Sequence, residues 1–385
     1  QKKRKKTVQF HVLGVMSGTS LDGLDLASAQ FRKDKKGQWH FDFTLTETIP
    51  YPKAWQRRLA KAHTLHKKEL EKLDFEYTKW LSKTLYQTIK KYDLEDLKAI
   101  CSHGHTVLHQ PEKGITLQIG NLPLISNNLH CPVVCDFRTQ DVALGGQGAP
   151  LVPVGDHLLF PKYTGCLNLG GIANLSKISI NPPKAYDVCA FNQVFNYLSN
   201  KLGLTFDESG HLASKGKIIE PLLEQLNALS YYSLSGPQLL GSEWVVEHII
   251  SKVNKYEDSL IQDVMHTYAH HCALQIGNQW NKGDLVLVTG GGAHNHYFME
   301  TLTRYSEAQF EIPEHTLVNF KEALIFGLLG VLKLLEEVNC YAAVTGAKKD
   351  HVAGNIFFPY KSNPLFGILI NLVSTQHKIK TQTII

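Results

Sequence analysis

The sequence predicts an α/β protein built as two similarly organised halves, and two observations carry this. Runs with alternating apolar residues cluster near the start of the chain and again near its middle, and each cluster is followed by segments whose apolar residues recur three and four apart. A glycine-rich turn also separates the first two strands of each cluster. The boundary is expected near 155–165, giving an N-terminal domain 1–158 and a C-terminal domain 159–385. No linker marks the junction, so the halves are expected to pack across a cleft, a favoured place for ligands.

In order, Val8–Gly14, Leu24–Phe31 and Trp39–Thr46 read as three strands of an antiparallel meander, the last following the turn-like KKGQ. Leu70, Leu73, Tyr77, Trp80, Leu81 and Leu85 line one face of a helix, opposite Lys and Glu. Ala99–Ser102 and Pro132–Asp136 read as short buried strands, and Ala143–Pro153 as a loop rich in Gly and Pro. The opening pattern then returns: Gly165–Gly170, Ala173–Ile180 and Tyr186–Cys189 are strands, and helices follow at about 191–202, 217–228, 243–254 and 259–280. Asp284–Thr289 is an apolar strand ending in three glycines, a helix covers about 295–305, and Lys321–Leu335 is apolar nearly all round, the mark of a buried helix.

Composition excludes several classes. With 385 residues, 43% hydrophobic, 19% charged and a net charge of +5, the chain has material for a large core and is not disordered. Its longest apolar run, Ala323–Leu332, falls short of the ~18 residues a membrane-spanning helix needs. The basic run Lys2–Lys6 has no interleaved aromatics and reads as a solvated chain end, not a nucleic-acid arm. Val8–Met16 is too polar for a signal peptide, and a first residue other than Met leaves room for a missing or trimmed start. Seven cysteines without a CxxC pair indicate reduced thiols in a cytoplasmic protein. His103, His105 and His109 lie close in sequence, and His270 and His271 are adjacent; without a convincing fourth ligand they read as substrate-contacting or structural, not metal-binding.

Three glycine loops carry the chemistry. Gly14–Asp25 (GVMSGTSLDGLD) lies between two strands; its glycines permit tight turns, and its hydroxyls and backbone N–H groups suit a phosphate. It is neither a Walker loop nor a GxGxxG fingerprint, and the alternative is an ordinary hairpin. Asp22 and Asp25 add carboxylates, one of which can hold Mg²⁺ through water. Asn168–Ser176 (NLGGIANLS) repeats this strand–turn–strand form, and two such hairpins facing each other would grip a polyphosphate. Thr289–Asn295 (TGGGAHN) ends a strand before a helix, where backbone can approach a nucleotide. Three such loops in this order suggest a two-domain phosphotransferase of the actin, hexokinase and acetate kinase type.

The segments GVMSGTSLDGLDLA, SHGHTVLHQP, LQIGN, DFRTQDVALGGQGAPLVP, LNLGGIANLS, LVTGGGAHN, KEALIFGLLG and AVTGA, spanning Gly14 to about Ala347, together resemble the anhydro-N-acetylmuramic acid kinase family. The resemblance implies two actin-like (ribonuclease H-like) domains with a central nucleotide-binding cleft, ATP and Mg²⁺ as cofactors, a small-molecule sugar as substrate, and a cytoplasmic homodimer. The reaction it implies is hydrolytic opening of the 1,6-anhydro ring of 1,6-anhydro-N-acetylmuramic acid with phosphorylation of O6, giving N-acetylmuramic acid 6-phosphate in peptidoglycan recycling.

The family's Asp-Thr-Gly-Pro-Gly-Asn motif falls on Asp187–Asn192, which makes Asp187 the general base that activates water and Asn192 a supporting polar contact. Carried over likewise, Ser17, Gly18, Thr19, Ser20, Leu21, Asp22 and Gly23 form the first phosphate loop, with Asp22 the metal-side carboxylate. Gly170, Gly171 and Asn174 form the second loop, and Gly290, Gly291 and Gly292 the adenosine side. His103, Thr106, Gln118, Arg138 and Glu322 fall in segments that shape the sugar pocket. Arg138 suits a carboxylate or phosphate, or a structural pair with Asp136 or Asp141, and Glu322 suits a sugar hydroxyl or a helix start.

Departures exist. Val188–Phe191 replace the glycines and proline beside Asp187, and Gln238 and Ser242 replace two basic residues. The competing readings are a related actin-like kinase acting on another sugar, and a degenerate, non-catalytic sugar or ATP sensor.

Overall fold

The computed structural model describes residues 8–18, 20–233, 239–256 and 259–359; the Lys2–Lys6 run, Thr19 and Gln238 lie outside them. The chain forms two units, Gln1–Ala149 with Glu322–Ile385, and Pro150–Lys321. The division differs from the expected 1–158 and 159–385 at both ends of the second unit. The switch comes at 149/150, and the chain returns to the first unit at Glu322.

The first unit is built on a seven-stranded sheet. β1 (Val8–Ser17), β2 (Gly23–Lys33) and β3 (Trp39–Pro50) form the expected antiparallel meander. β4 (Ala99–Gln110) lies parallel to β1, β5 (Ile115–Ile119) folds back on β4, and β6 (Val133–Cys135) lies parallel to β4. The helix Lys67–Lys91 buries Leu70, Leu73, Tyr77, Leu81, Leu85 and Ile89 against this sheet, so one apolar stripe at helical spacing supplies the helical side of that core. Glu69 reaches back to accept from the His66 N–H and satisfies one donor at the helix start.

The second unit has a five-stranded sheet. β7 (Gly165–Leu169), β8 (Ile172–Lys177) and β9 (Lys184–Ala190) form an antiparallel meander; β10 (Leu285–Thr289) lies parallel to β7, and β11 (Gln309–Glu311) parallel to β10. Helices Asn192–Asn200, Glu220–Asn227 and Ile261–Gly277 cover it, with Phe191, Tyr268, Phe298 and Leu302 in its core.

Setting aside β5, which pairs only with β4, the two sheets share one five-strand order: an antiparallel meander continued by two parallel strands, β3-β2-β1-β4-β6 in the first and β9-β8-β7-β10-β11 in the second. That is the arrangement of an actin-like, ribonuclease H-like domain, present twice. A last strand, β12 (Asn355–Phe357), pairs antiparallel with β6, which is why the C-terminal segment belongs to the first unit.

Other departures are local. The expected loop Ala143–Pro153 is flanked by short helices, Thr139–Ala143 and Val152–Leu159, the second tolerating Pro153 because a first-turn N–H needs no intrahelical partner. The apolar helix begins at His315, not Lys321, and runs to Leu334. Glu322 is therefore interior to the helix and caps nothing. In the first unit this helix meets β1 at Gly14, where a Cβ would lie 1.9 Å from the Ala323 carbonyl oxygen, so only glycine permits the approach.

Candidate active site

In the first unit, the β1–β2 turn is shaped by Leu21, which adopts φ +61 although it carries a side chain. Its N–H donates to the Gly18 carbonyl (3.4 Å), and the Tyr51 N–H donates to the Asp22 carbonyl (3.1 Å), tying the turn to the end of β3. Ser20 and Asp22 are exposed. Ser17 is different. Its hydroxyl is buried and engaged with the Tyr51 hydroxyl (2.7 Å) and His105 Nδ1 (2.8 Å), and Tyr51 continues to the Tyr77 hydroxyl (2.5 Å). Burial drives the His105 imidazole down to about 4 and the Tyr51 phenol up to about 12, so this chain of groups is neutral at pH 7. Asp25 accepts from Thr48 (2.6 Å), and burial raises its carboxyl, with the neighbouring Asp22 adding to the rise.

The proposed sugar residues of this unit gather around β4. Arg138 donates through Nε to His103 Nε2 (2.9 Å) and through Nη1 to the Gly148 carbonyl (2.6 Å). His103 Nδ1 lies 2.9 Å from the Gly104 carbonyl, so Nδ1 carries the proton and Nε2 accepts. Burial, then the Arg138 charge, push this imidazole well below its ordinary range. Arg138 pairs with neither expected partner: Asp136 accepts from Thr139 and Asn355, and Asp141 from Gly148, Cys340 and Thr345. Thr106 and Gln118 are direct partners across β4 and β5, with Gln118 Nε2 3.4 Å from the Thr106 hydroxyl. Glu322 is exposed, and its charge favours the protonated Arg138. The other histidines are engaged in the fold: His109 with Thr116, His270 with Tyr305, and His271 with Asn227 and Tyr232. All seven cysteines are free and buried.

In the second unit, the β7–β8 turn is clamped to the start of helix Asn192–Asn200. The N–H groups of Phe191 and Gln193 donate to the Gly171 carbonyl (2.8 and 3.1 Å), and that of Asn192 to Gly170 (3.1 Å). Gly290 packs onto the same turn at φ +85, and a Cβ there would lie 2.6 Å from Asn168 Oδ1. Beside this junction is a cavity of about 460 Å³ lined by Asn192, Phe195, Phe206, Glu208, Gly291 and Gly292, among others. The expected second loop and adenosine-side glycines are thus neighbours. The wall Phe206–Ser209 was not anticipated; its one signal is the exposed Phe206. Asp207 within it serves the backbone, accepting from the N–H groups of Leu212 and Ala213.

Asp187 lies on β9, where Val188–Ala190 continue the strand, so the replaced glycines make strand and not turn. Its Cα partner on β8 is Asn174. Oδ2 accepts from the Leu240 N–H (2.8 Å), and its backbone carbonyl accepts from the Tyr231 hydroxyl (2.7 Å). Burial raises the carboxyl to about 6, only partly opposed by the Leu240 amide. Such a group is ionised at pH 7 yet basic enough to take a proton. Ser242 opens the short helix Ser242–Trp244.

The anhydro-N-acetylmuramic acid kinase family matches residues 10–359. An anhydro-N-acetylmuramic acid kinase of Pseudomonas syringae pv. syringae is 31% identical over 373 residues, 91% of this chain and all of that protein. Those of Mannheimia succiniciproducens and Pasteurella multocida are each 32% identical, over 90% and 91% of this chain and 98% of each relative.

Proposed function

The chain belongs to the anhydro-N-acetylmuramic acid kinase family, and on that premise we propose that it opens the 1,6-anhydro ring of 1,6-anhydro-N-acetylmuramic acid with water and transfers the γ-phosphoryl group of ATP to O6. It is a kinase of cell-wall recycling. Asp187 takes a proton from water as the water oxygen bonds to C1. The C1–O6 bond breaks, and O6 becomes the nucleophile toward phosphorus, releasing ADP. The observation that carries this reading is the Asp187 carboxyl, mounted on a strand and raised to about 6 by burial.

The other assignments follow the same reading. The β1–β2 turn (Gly18–Gly23) and Gly170, Gly171 and Asn174 contact phosphates, and Gly290–Gly292 lie on the adenosine side. Asn192 supports Asp187, while His103, Thr106, Gln118, Arg138 and Glu322 recognise the sugar. Both ring nitrogens of the neutral His103 are engaged, by the Gly104 carbonyl and by Arg138 Nε, so its part is to position the Arg138 guanidinium. Asp22 and Asp25 fit a Mg²⁺ ion: the rise in the Asp25 carboxyl reflects burial and repulsion from Asp22, which a divalent cation relieves. Asp22, through water, would hold the ion, whose chemistry there is to neutralise phosphate charge. The enzyme is proposed to act as a cytoplasmic homodimer without membrane or nucleic-acid partners; among the described residues no helix is long and apolar enough to cross a membrane.

The test is a coupled assay with MgATP and the anhydro-sugar, products read by mass spectrometry, with Asp187→Asn alongside. A product heavier by one phosphate and one water, absent with the variant, is the expected result. Phosphate gain without water would identify an ordinary sugar kinase. Binding without turnover would identify a sensor.

A further inference from the structure

We propose that Asp141, Cys340 and His351 of the first unit form a buried binding site for one Zn²⁺ ion. Their ligand atoms all lie within 4.8 Å of one another, and all three side chains are buried. Cys340 Sγ is 3.2 Å, and His351 Nε2 3.6 Å, from Asp141 Oδ1. Around a tetrahedral zinc, with bonds of about 2.0–2.3 Å, neighbouring ligand atoms stand about 3.3–3.6 Å apart. The two separations from Asp141 Oδ1 match two edges of one face of such a tetrahedron.

The backbone and the outer contacts hold them there. Cys340 and His351 form an isolated antiparallel bridge, each donating its N–H to the other's carbonyl, which puts their side chains on one face. His351 Nδ1 lies 3.1 Å from the Lys349 carbonyl, so Nδ1 carries the proton and the Nε2 lone pair faces the cluster. That Nε2 is buried without a hydrogen-bond partner, in a residue only 5% exposed. An orphaned acceptor so placed calls for a ligand. Asp141 is oriented by the Thr345 hydroxyl (2.7 Å) on Oδ1 and the Gly148 N–H (2.6 Å) on Oδ2.

The chemistry favours zinc over Mg²⁺ or Ca²⁺, because a thiol and an imidazole join a single carboxylate. On binding, the Cys340 thiol, which now donates to Asp141, releases its proton to solvent and its sulfur bonds to the metal. Thiolate and carboxylate then balance the charge of the ion, as a buried site requires. The ion would clamp the segment Cys340–His351 to the loop that follows Asp141, independently of ATP or sugar.

The experiment uses the untagged full chain, stripped with chelator and re-equilibrated with Zn²⁺. Elemental analysis should find one zinc per chain. Zinc-edge absorption fine structure should show one sulfur at about 2.3 Å and nitrogen or oxygen at about 2.0–2.2 Å. Cys340→Ser and His351→Gln should each weaken zinc binding by more than about tenfold. Failure of the wild-type chain to retain zinc, a first shell with no sulfur or with several, or variants that bind as tightly would each overturn the proposal. The absorption spectrum of the wild type decides the matter even if a variant does not fold.

Discussion

Asn174 and Asp187 are direct partners across β8 and β9, immediately after the irregularity that separates Ala173 from Asn174 in that ladder. A strand irregularity re-aims the side chains beside it without loosening the ladder. Asp187 is therefore held at three points: by its ladder partner, by the Leu240 N–H on Oδ2, and by Tyr231 on its carbonyl.

Asp187→Asn keeps an acceptor for Leu240 and removes the base. Turnover should fall by about 10²–10⁴. The folded-state carboxyl is raised from 3.8 to about 6, so the native state binds the proton more tightly than the unfolded state. Stability therefore falls as pH rises through about 4–6, and the neutral variant escapes that loss. At pH 7.5 it should be more stable than wild type by up to about 3 kcal/mol in urea unfolding. An inactive variant with lowered stability would show that Asp187 is structural.

The same value sets the acid limb of the rate profile. The base works as carboxylate, so kcat/KM should drop tenfold per unit below about pH 6 and level off above it. His105, already neutral down to about 4, contributes no limb in this range.

Ser17, Tyr51, Tyr77 and His105 act as one hydrogen-bonded unit. Ser17→Ala leaves His105 Nδ1 without this partner and the Tyr51 hydroxyl with Tyr77 alone, and should cost about 1–3 kcal/mol. A double-mutant cycle with Tyr51→Phe should show non-additivity of about 0.5–3 kcal/mol by chemical denaturation. Strict additivity would mean the hydroxyls do not cooperate.

In the second unit, Lys321 pairs with buried Asp156 at 2.9 Å, and Asp156 also accepts from Ser176. Lys321→Met strands the carboxylate and should cost about 3–5 kcal/mol. Adding Asp156→Asn should restore part of this, which thermal unfolding of the three variants measures.

Gly290→Ala places a methyl group 2.6 Å from Asn168 Oδ1 at a positive φ. It should cost about 1–3 kcal/mol and raise the KM for ATP more than that for the sugar, because the neighbouring Gly291 and Gly292 line the cavity.

The two meanders, the helix carrying Leu70–Leu85 and the glycine turns were legible because each is a local pattern: alternation, helical spacing, or a residue type that a turn demands. The strand that carries Asp187 was legible too, as Tyr186–Cys189, although the family's glycines beside it are gone. What escaped was set by distant pairing. The three-residue β12 has no signal of its own, and its place depends on β6. The wall Phe206–Ser209 takes its meaning from Gly291 and Gly292, far along the chain. Asp141 and Cys340 meet across 199 residues, beyond the reach of any spacing rule. The helix start at His315 was hidden by the polar residues before the apolar run.

The late strand β12 also has a consequence for how the molecule is born. Asn355, its first residue, bonds to Asp136, 219 residues earlier, so the first sheet gains this edge only after the whole second unit has been made. The second sheet needs nothing beyond Lys321. Once Lys321 has emerged, all five strands of the second sheet are available, while the first sheet still lacks β12. Order of synthesis and order of completion run in opposite directions.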